Sequence, residues 1–412
     1  MKRLLLAALL AAAAGAAQAA PALNPPGLLP TEVARPLLEH DPGVAAARAG
    51  LEVALQDAGI LERSPYEWNA NAVGMKRNLS NGPQYKEWNV TVQKTFRLPG
   101  KAAADRNIGK ATVEESEARY GEALHSAARE LLGLWMDWLA AERGRALAQD
   151  NLRWARDSLA AVEKRVRAGD ASNLELSLAR AELADQQRLD SEARTQAEAS
   201  WSQLAARFPG MPRQAAALPE PQPLEQGAEF WRERILGEDH GLKVAQAQTR
   251  FTQAHAERAK AEKTPDPTLG VYNASETGGS ERVIGLTVSM PIPGRIRSLR
   301  SERAYAAVEV SRQQEELAQR QLEAQVASAV ATARGSYDSL QIAKQGAAAM
   351  QDNARLMQRS YSLGEADLQS LLLARRQAFS AQTSALQAQL AALKAYYGLL
   401  TDSHLIWDLE RD

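Results

Sequence analysis

The chain carries one plan twice. Residues 166–180 (VRAGDASNLELSLAR) lie over residues 361–375 (YSLGEADLQSLLLAR) at an offset of 195, with Gly169/Gly364, Ala171/Ala366, Leu176/Leu371, Leu178/Leu373, Ala179/Ala374 and Arg180/Arg375 coinciding. A second pair, FRLPGK (96–101) and MPIPGR (290–295), is offset by 194. Duplication limits the possible folds strongly, because each half must supply the same elements in the same order. The joint falls at 209–227, which is Pro-rich and without period, and reads as an extended linker. The repeats are therefore taken as 20–218 and 219–412.

Each repeat reads the same way. A moderate helix comes first (36–62 and 240–263). Two stretches of period-two alternation follow, flanking a polar, Gly-containing turn. They are 66–75 and 87–96 in the first repeat, and 267–275 and 282–290 in the second. Such alternation between turn signals predicts β-hairpins, 66–96 and 267–290. Pro99-Gly100 and Pro293-Gly294 then mark strand–helix junctions, since proline ends a sheet ladder and suits the first turn of a helix. Beyond them lie paired helices, 101–208 and 296–400, each pair broken at Gly169 or Gly364.

The long helices carry apolar residues three and four apart, beginning Leu124, Ala127, Leu131, Leu134, Trp138 in the first and Leu322, Val326, Ala329, Ala333 in the second. A sustained 3.5-residue repeat imposes a left-handed supercoil. The many alanines let helices approach closely. At 1.5 Å per residue the long helices reach roughly 100 Å. The shorter ones, stacked end to end, match that height. The expected pairs are 171–208 with 240–263, and 367–400 with 36–62. Four columns of similar height would then stand below four strands.

Charge and composition exclude several functions. A net charge of −1 leaves no basic footprint for nucleic acid. With no cysteine there is no disulfide, thiolate metal site, cysteine nucleophile or lipidated N-terminal cysteine. No nucleophile elbow, metalloprotease helix or phosphate loop occurs, so no catalytic residue, cofactor or metal site is expected. The five histidines are scattered in sequence and are expected to be surface or packing residues. Residues 1–19 read as a secretory signal: Lys2 and Arg3, then an apolar run, then Ala17-Gln18-Ala19. No later run is long enough for a transmembrane helix.

Strands of nine or ten residues suit a tilted crossing of an outer membrane. Four strands cannot close a barrel, and open edges are not tolerated in lipid. Several chains must contribute, and three chains of four strands give twelve. This duplicated plan, with PGK/PGR at the junctions and YSLGEADLQSLLLAR at the second helix turn, resembles the TolC family of outer-membrane efflux proteins over nearly the whole mature chain. The resemblance implies a homotrimer, mainly α, with a twelve-strand β-barrel and an α-helical periplasmic tunnel. It implies a passive exit duct served by a periplasmic adaptor and an inner-membrane pump, of RND type. The form is similar to the heavy-metal (CzcC-like) branch, with drug-efflux and type I secretion ducts as alternatives. A periplasmic coiled-coil scaffold is the competing class.

The helix turns would then form the periplasmic tip. Gly169, Asp170, Gly364, Glu365 and Asp367 are the residues expected to meet the adaptor. Glycine there suits a left-handed C-cap, and Asp170, Ser172, Glu365 and Asp367 can cap the following helices. By resemblance Tyr361 matches the constriction tyrosine, and Glu175 an acidic position that bonds it. The family arginine two residues after the glycine is absent, Ala366 standing there. Paired entrance aspartates fall on Ser370 and Leu373. A packing role for Tyr361, with Glu175 paired to an arginine, is the plainer alternative.

Overall fold

A computed structural model describes residues 25–409. The signal segment expected over 1–19 lies outside these residues. The elements run α1 (Thr31–Glu39), α2 (Pro42–Glu62), β1 (Trp68–Asn78), β2 (Gln84–Thr95), α3 (Pro99–Ala168), α4 (Asn173–Arg207), α5 (Ala228–Glu238), α6 (His240–Ala261), β3 (Thr268–Glu276), β4 (Glu281–Ser289), α7 (Arg295–Leu363) and α8 (Leu368–Asp402). The 70 residues of α3 span about 105 Å, and the 69 of α7 nearly as much.

Two expectations about the helices are corrected. The first moderate helix is two, because Pro42 occupies the first turn of α2 and Asp41 caps it through Gly43 and Val44 N–H. The linker is followed by an unforeseen helix, α5, separated from α6 at Asp239, whose carboxylate caps α6 at Leu242 N–H (2.7 Å).

The stacking order also differs from expectation. Arg207, at the end of α4, pairs with Asp41 at the head of α2 and with Glu130 of α3 (2.8 Å). His404, just past the end of α8, stacks on His240 at the head of α6 (5.0 Å). The columns are therefore α4 with α2, and α8 with α6. Helix periodicity fixes which face is buried but carries no record of which ends meet. Those partners are set by side chains far apart in sequence.

The main apolar core sits where the helix ends meet, around Trp138, Leu131, Met136, Leu204, Ile235, Leu393 and Trp407. A smaller cluster lies at the helix turns, built on Val162, Ala179, Leu368, Leu371 and Leu372. Between them the contacts are largely alanine. On the strand side of the main core, at Gly109, an added Cβ would stand 3.0 Å from the Ala58 backbone, so α2 and α3 approach closely there.

The strands form one antiparallel sheet in the order β1-β2-β3-β4. The two hairpins join through β2 and β3, with Thr95 opposite Thr268 and Trp88 opposite Ser275. β1 and β4 are the open edges.

Candidate functional site

The sheet separates apolar from polar side chains. Register places Trp68, Ala70 and Ala72 of β1 beside Lys94, Val92 and Val90 of β2. The same face continues through Leu269 and Val271 of β3 to Val288, Leu286 and Ile284 of β4. Ile284, Leu286 and Val288 are 76%, 82% and 74% exposed, a density of bare aliphatic surface that water does not favour. The opposite face carries Asn69, Asn71, Thr91, Gln93 and Thr287. It also holds Tyr272 over Gly285, where a Cβ would come within 2.3 Å of the ring. No described helix is long and apolar enough to cross a membrane.

Strand and long helix do not abut directly at either junction. β2 stops at Thr95 and β4 at Ser289. Pro99 is the first residue of α3 and Gly100 the second, two residues earlier than the expected start at 101. Pro293 lies outside α7, and Gly294 is its extended N-cap. The first junction is locked by Lys101, only 1% exposed, which reaches Asp266 (3.0 Å) and Glu262 (3.3 Å). Asp266 also accepts from Leu98 N–H (3.0 Å) and the Tyr66 hydroxyl (2.8 Å). Burial pushes this carboxyl up, but those donors and the Lys101 ammonium hold it below the usual carboxylate value. Tyr66, at the start of the first expected strand 66–75, is therefore part of this network and lies outside β1.

At the far end both helix turns close identically. Gly169 and Gly364 adopt φ of 81° and 79°, left-handed values that favour glycine. Asp170 N–H reaches Arg165 O (2.8 Å), and Glu365 N–H reaches Ser360 O (2.9 Å). Ser172 and Asp367 cap the next helices, through Glu175 N–H (3.2 Å) and Ser370 N–H (2.7 Å). Asp170 and Glu365 enter these closures through their N–H groups, and the two caps come from the residues that follow each by two.

Tyr361 and Glu175 are brought together. The Tyr361 hydroxyl donates to Glu175 Oε2 (3.2 Å) and accepts from Arg165 (2.6 Å). The Arg165 guanidinium also lies 5.1 Å from the ring centroid and 3.7 Å from Glu175. Burial raises the Tyr361 phenol above its ordinary value, with Arg165 opposing and Glu175 adding. This cluster joins the end of α7 to the end of α3 and the start of α4.

A family model described as outer membrane efflux protein matches the chain over residues 33–207 and 231–401. The chain belongs to the outer membrane efflux protein family. Solved structures agree in fold. CusC is 17% identical with a TM-score of 0.75, covering 92% of this chain and 94% of that one. MtrE of Neisseria gonorrhoeae, described in its open state, is 20% identical with a TM-score of 0.74, covering 92% and 90%. VceC of Vibrio cholerae is 15% identical with a TM-score of 0.72, covering 90% and 95%. No curated protein matched in a sequence search.

The protein is thus an outer-membrane exit duct of a tripartite efflux system, with its helices in the periplasm. Efflux channels of this family work as trimers with a periplasmic adaptor and an inner-membrane pump. Channels of this family carry a β-barrel, and the edges free in this sheet for such closure across copies are β1 and β4. With two hairpins per copy, a pairing of those edges is antiparallel like the rest. The aliphatic face of the efflux barrel then meets lipid, and the Asn/Thr/Gln face lines the lumen.

Sequence reading missed two groupings in this efflux channel. Arg165, from the end of α3, joins the Tyr361–Glu175 contact. Its signal was faint: it is one of several basic residues closing α3. Three of the five histidines, His125, His240 and His404, also converge at one place. They come from α3, α6 and the segment after α8, so no local spacing announces them.

Proposed function

We propose that Arg165, Tyr361 and Glu175 form the lock that holds the periplasmic mouth of the duct closed, and that the turns at Gly169–Asp170 and Gly364–Asp367 are where the adaptor docks. What carries this reading is the Tyr361 hydroxyl. It sits between a cation and a carboxylate supplied by the other repeat. Separating the two helical hairpins breaks both bonds at once. Hydrogen bonds to charged groups are worth about 1.5–3 kcal/mol each, reduced here because Arg165 and Glu175 are partly exposed. Three copies act together by symmetry. Ala366 does not weaken the lock, because Arg165 supplies the guanidinium. The two matched stretches of the family model support the repeats proposed at 20–218 and 219–412.

The test is conductance. Tyr361→Phe combined with Glu175→Gln should raise single-channel conductance in planar bilayers severalfold, at unchanged trimer yield. Wild-type conductance at several salt concentrations would remove this cluster from the gate.

The same reading takes an RND-type pump and heavy-metal cations as partner and cargo, from the resemblance given above. A deletion strain should then lose resistance to divalent metals while keeping resistance to dyes and detergents. The reverse pattern would assign a drug pump.

A further inference from the structure

Halfway down the molecule two columns change helix. At one joint the chain uses charge: Arg207 of α4 is pinned between Asp41 and Glu130. At the other it uses imidazoles. His125 of α3 is 1% exposed and His404 is 6% exposed. The ring centroids are 5.0 Å apart for His240 and His404, 5.3 Å for His125 and His404, and 6.3 Å for His125 and His240. His125 Nδ1, His240 Nε2 and both nitrogens of His404 are buried without a hydrogen-bond partner. Leaving several imidazole nitrogens unpaired is costly and exceptional in a native structure.

A shared metal ion does not explain this arrangement. His240 and His404 stack with ring planes only 26° apart, so their nitrogens do not aim at one point. Among the described residues no three His, Asp or Glu side chains are placed to hold an ion.

We propose that the three histidines are an acid-sensitive latch: neutral, they let the ends of α6 and α8 stack, and protonated, they drive those ends apart. The surroundings already hold positive charge. Arg129 faces the cluster from α3, Arg234 from α5 and Lys243 from α6. The carboxylates nearby are already engaged. Asp402 of α8 accepts from Arg129 (2.7 Å) and stands farther, 3.6 Å, from His125 Nε2, which also faces Thr401 O (3.3 Å); Asp239 caps α6, and Glu238 of α5 pairs with Lys243 (3.0 Å). Glu122 of α3 is the remaining acid, and burial raises it, as it raises Asp402. Both therefore lose negative charge as acid rises, when the imidazoles most need it.

Burial is also the main reason the imidazoles resist protons: His125 is pushed down to about 3, His404 to about 4, and His240 is lowered. A folded value below the unfolded one means that their stabilisation is complete above about pH 6.5. It is lost progressively as pH falls toward the folded values. Asp402 and Glu122, raised, contribute with the opposite sign and offset part of the loss. The latch acts at the α6–α8 joint, so its release leaves α3 and α7 continuous and frees α8 to pivot against them.

The absence of cysteine makes the test direct, since two introduced cysteines are the only labelling sites. Spin labels at Arg250→Cys on α6 and Ala391→Cys on α8, in the detergent-solubilised trimer, report the joint as an intraprotomer distance. Between pH 7.5 and 4.5 the wild-type background should shift by about 2–5 Å, the scale of helix shifts. His125→Phe with His404→Phe should abolish the shift. If that pair does not assemble, His240→Gln alone should diminish it. No wild-type shift, or an equal shift in the histidine variants, overturns the latch.

Discussion

The two strand–helix junctions come from one duplicated motif, yet only one is armoured. At the first, Lys101 is buried among Asp266 and Glu262. Beside it Arg97 and Arg258 share Asp105. At the second, the equivalent Arg295 is exposed, Ile292 is 95% exposed, and α7 is tied back further along, through Arg297 to Glu262 (3.1 Å) and the Tyr305 hydroxyl to Glu257 (2.7 Å). The two helix turns, by contrast, match to within two degrees in φ at their glycines. Backbone geometry that a turn requires is met the same way in both repeats. Side-chain environment follows position in the sheet. β2 pairs on both sides, whereas β4 is an edge awaiting another chain. The first junction follows a strand paired on both sides, and the second follows an open edge.

The sharpest way to break this comparison is to remove the buried cation. Lys101→Met leaves Asp266 without its ammonium in a buried site. It should cost about 3–5 kcal/mol in denaturant unfolding of the solubilised trimer. Arg295→Met should stay within about 0.5 kcal/mol. Equal effects would mean that the asymmetry is only local. A middle-sized effect is expected from Asp266→Asn. Hydrogen bonds to the charged carboxylate are worth about 1.5–3 kcal/mol. Because its folded value is depressed, the wild-type carboxylate stabilises above about pH 3.9, and that contribution fades as pH falls further. The unfolding midpoint of the variant should therefore fall less than wild type between pH 5 and 3. The smallest pair tests the turns. Gly169→Ala and Gly364→Ala should each cost about 1–2 kcal/mol for an L-residue held left-handed, and by nearly equal amounts. Divergent values would show that the tips, too, have specialised.

These contrasts trace what the sequence made legible. Hairpins, long helices and C-cap glycines were readable because each is a local pattern of period, proline or glycine. Strand limits moved by one to three residues, since hydrogen-bonded pairing extends past the alternation, as at Lys76–Asn78. The split at Asp41-Pro42 was signalled by its cap and proline but merged into one helix. The Tyr361–Glu175 contact came through the resemblance. Arg165, the column partners and the histidine joint were not legible, because each depends on which distant helix ends meet. His125 and His404 are separated by most of the chain, and nothing in either neighbourhood marks the other.

The pairing of β2 with β3 has a consequence in time. Thr95 and Thr268, bonded through their hydroxyls at 2.8 Å, stand 173 residues apart. Closing a loop of that length costs about 4–5 kcal/mol in chain entropy before packing offsets it. The first hairpin therefore emerges into the periplasm with one ladder unformed and must wait for the start of the second repeat, through β3 at Thr268–Glu276, to be delivered. During that interval β2 is a bare edge beside a greasy face, the kind of surface on which chains aggregate. Long helices that zip locally and early shorten the wait, because α3 and α4 fold back on each other without any distant partner. Slow strands follow fast helices, and the order of synthesis favours a helical stalk that is present before its membrane end exists.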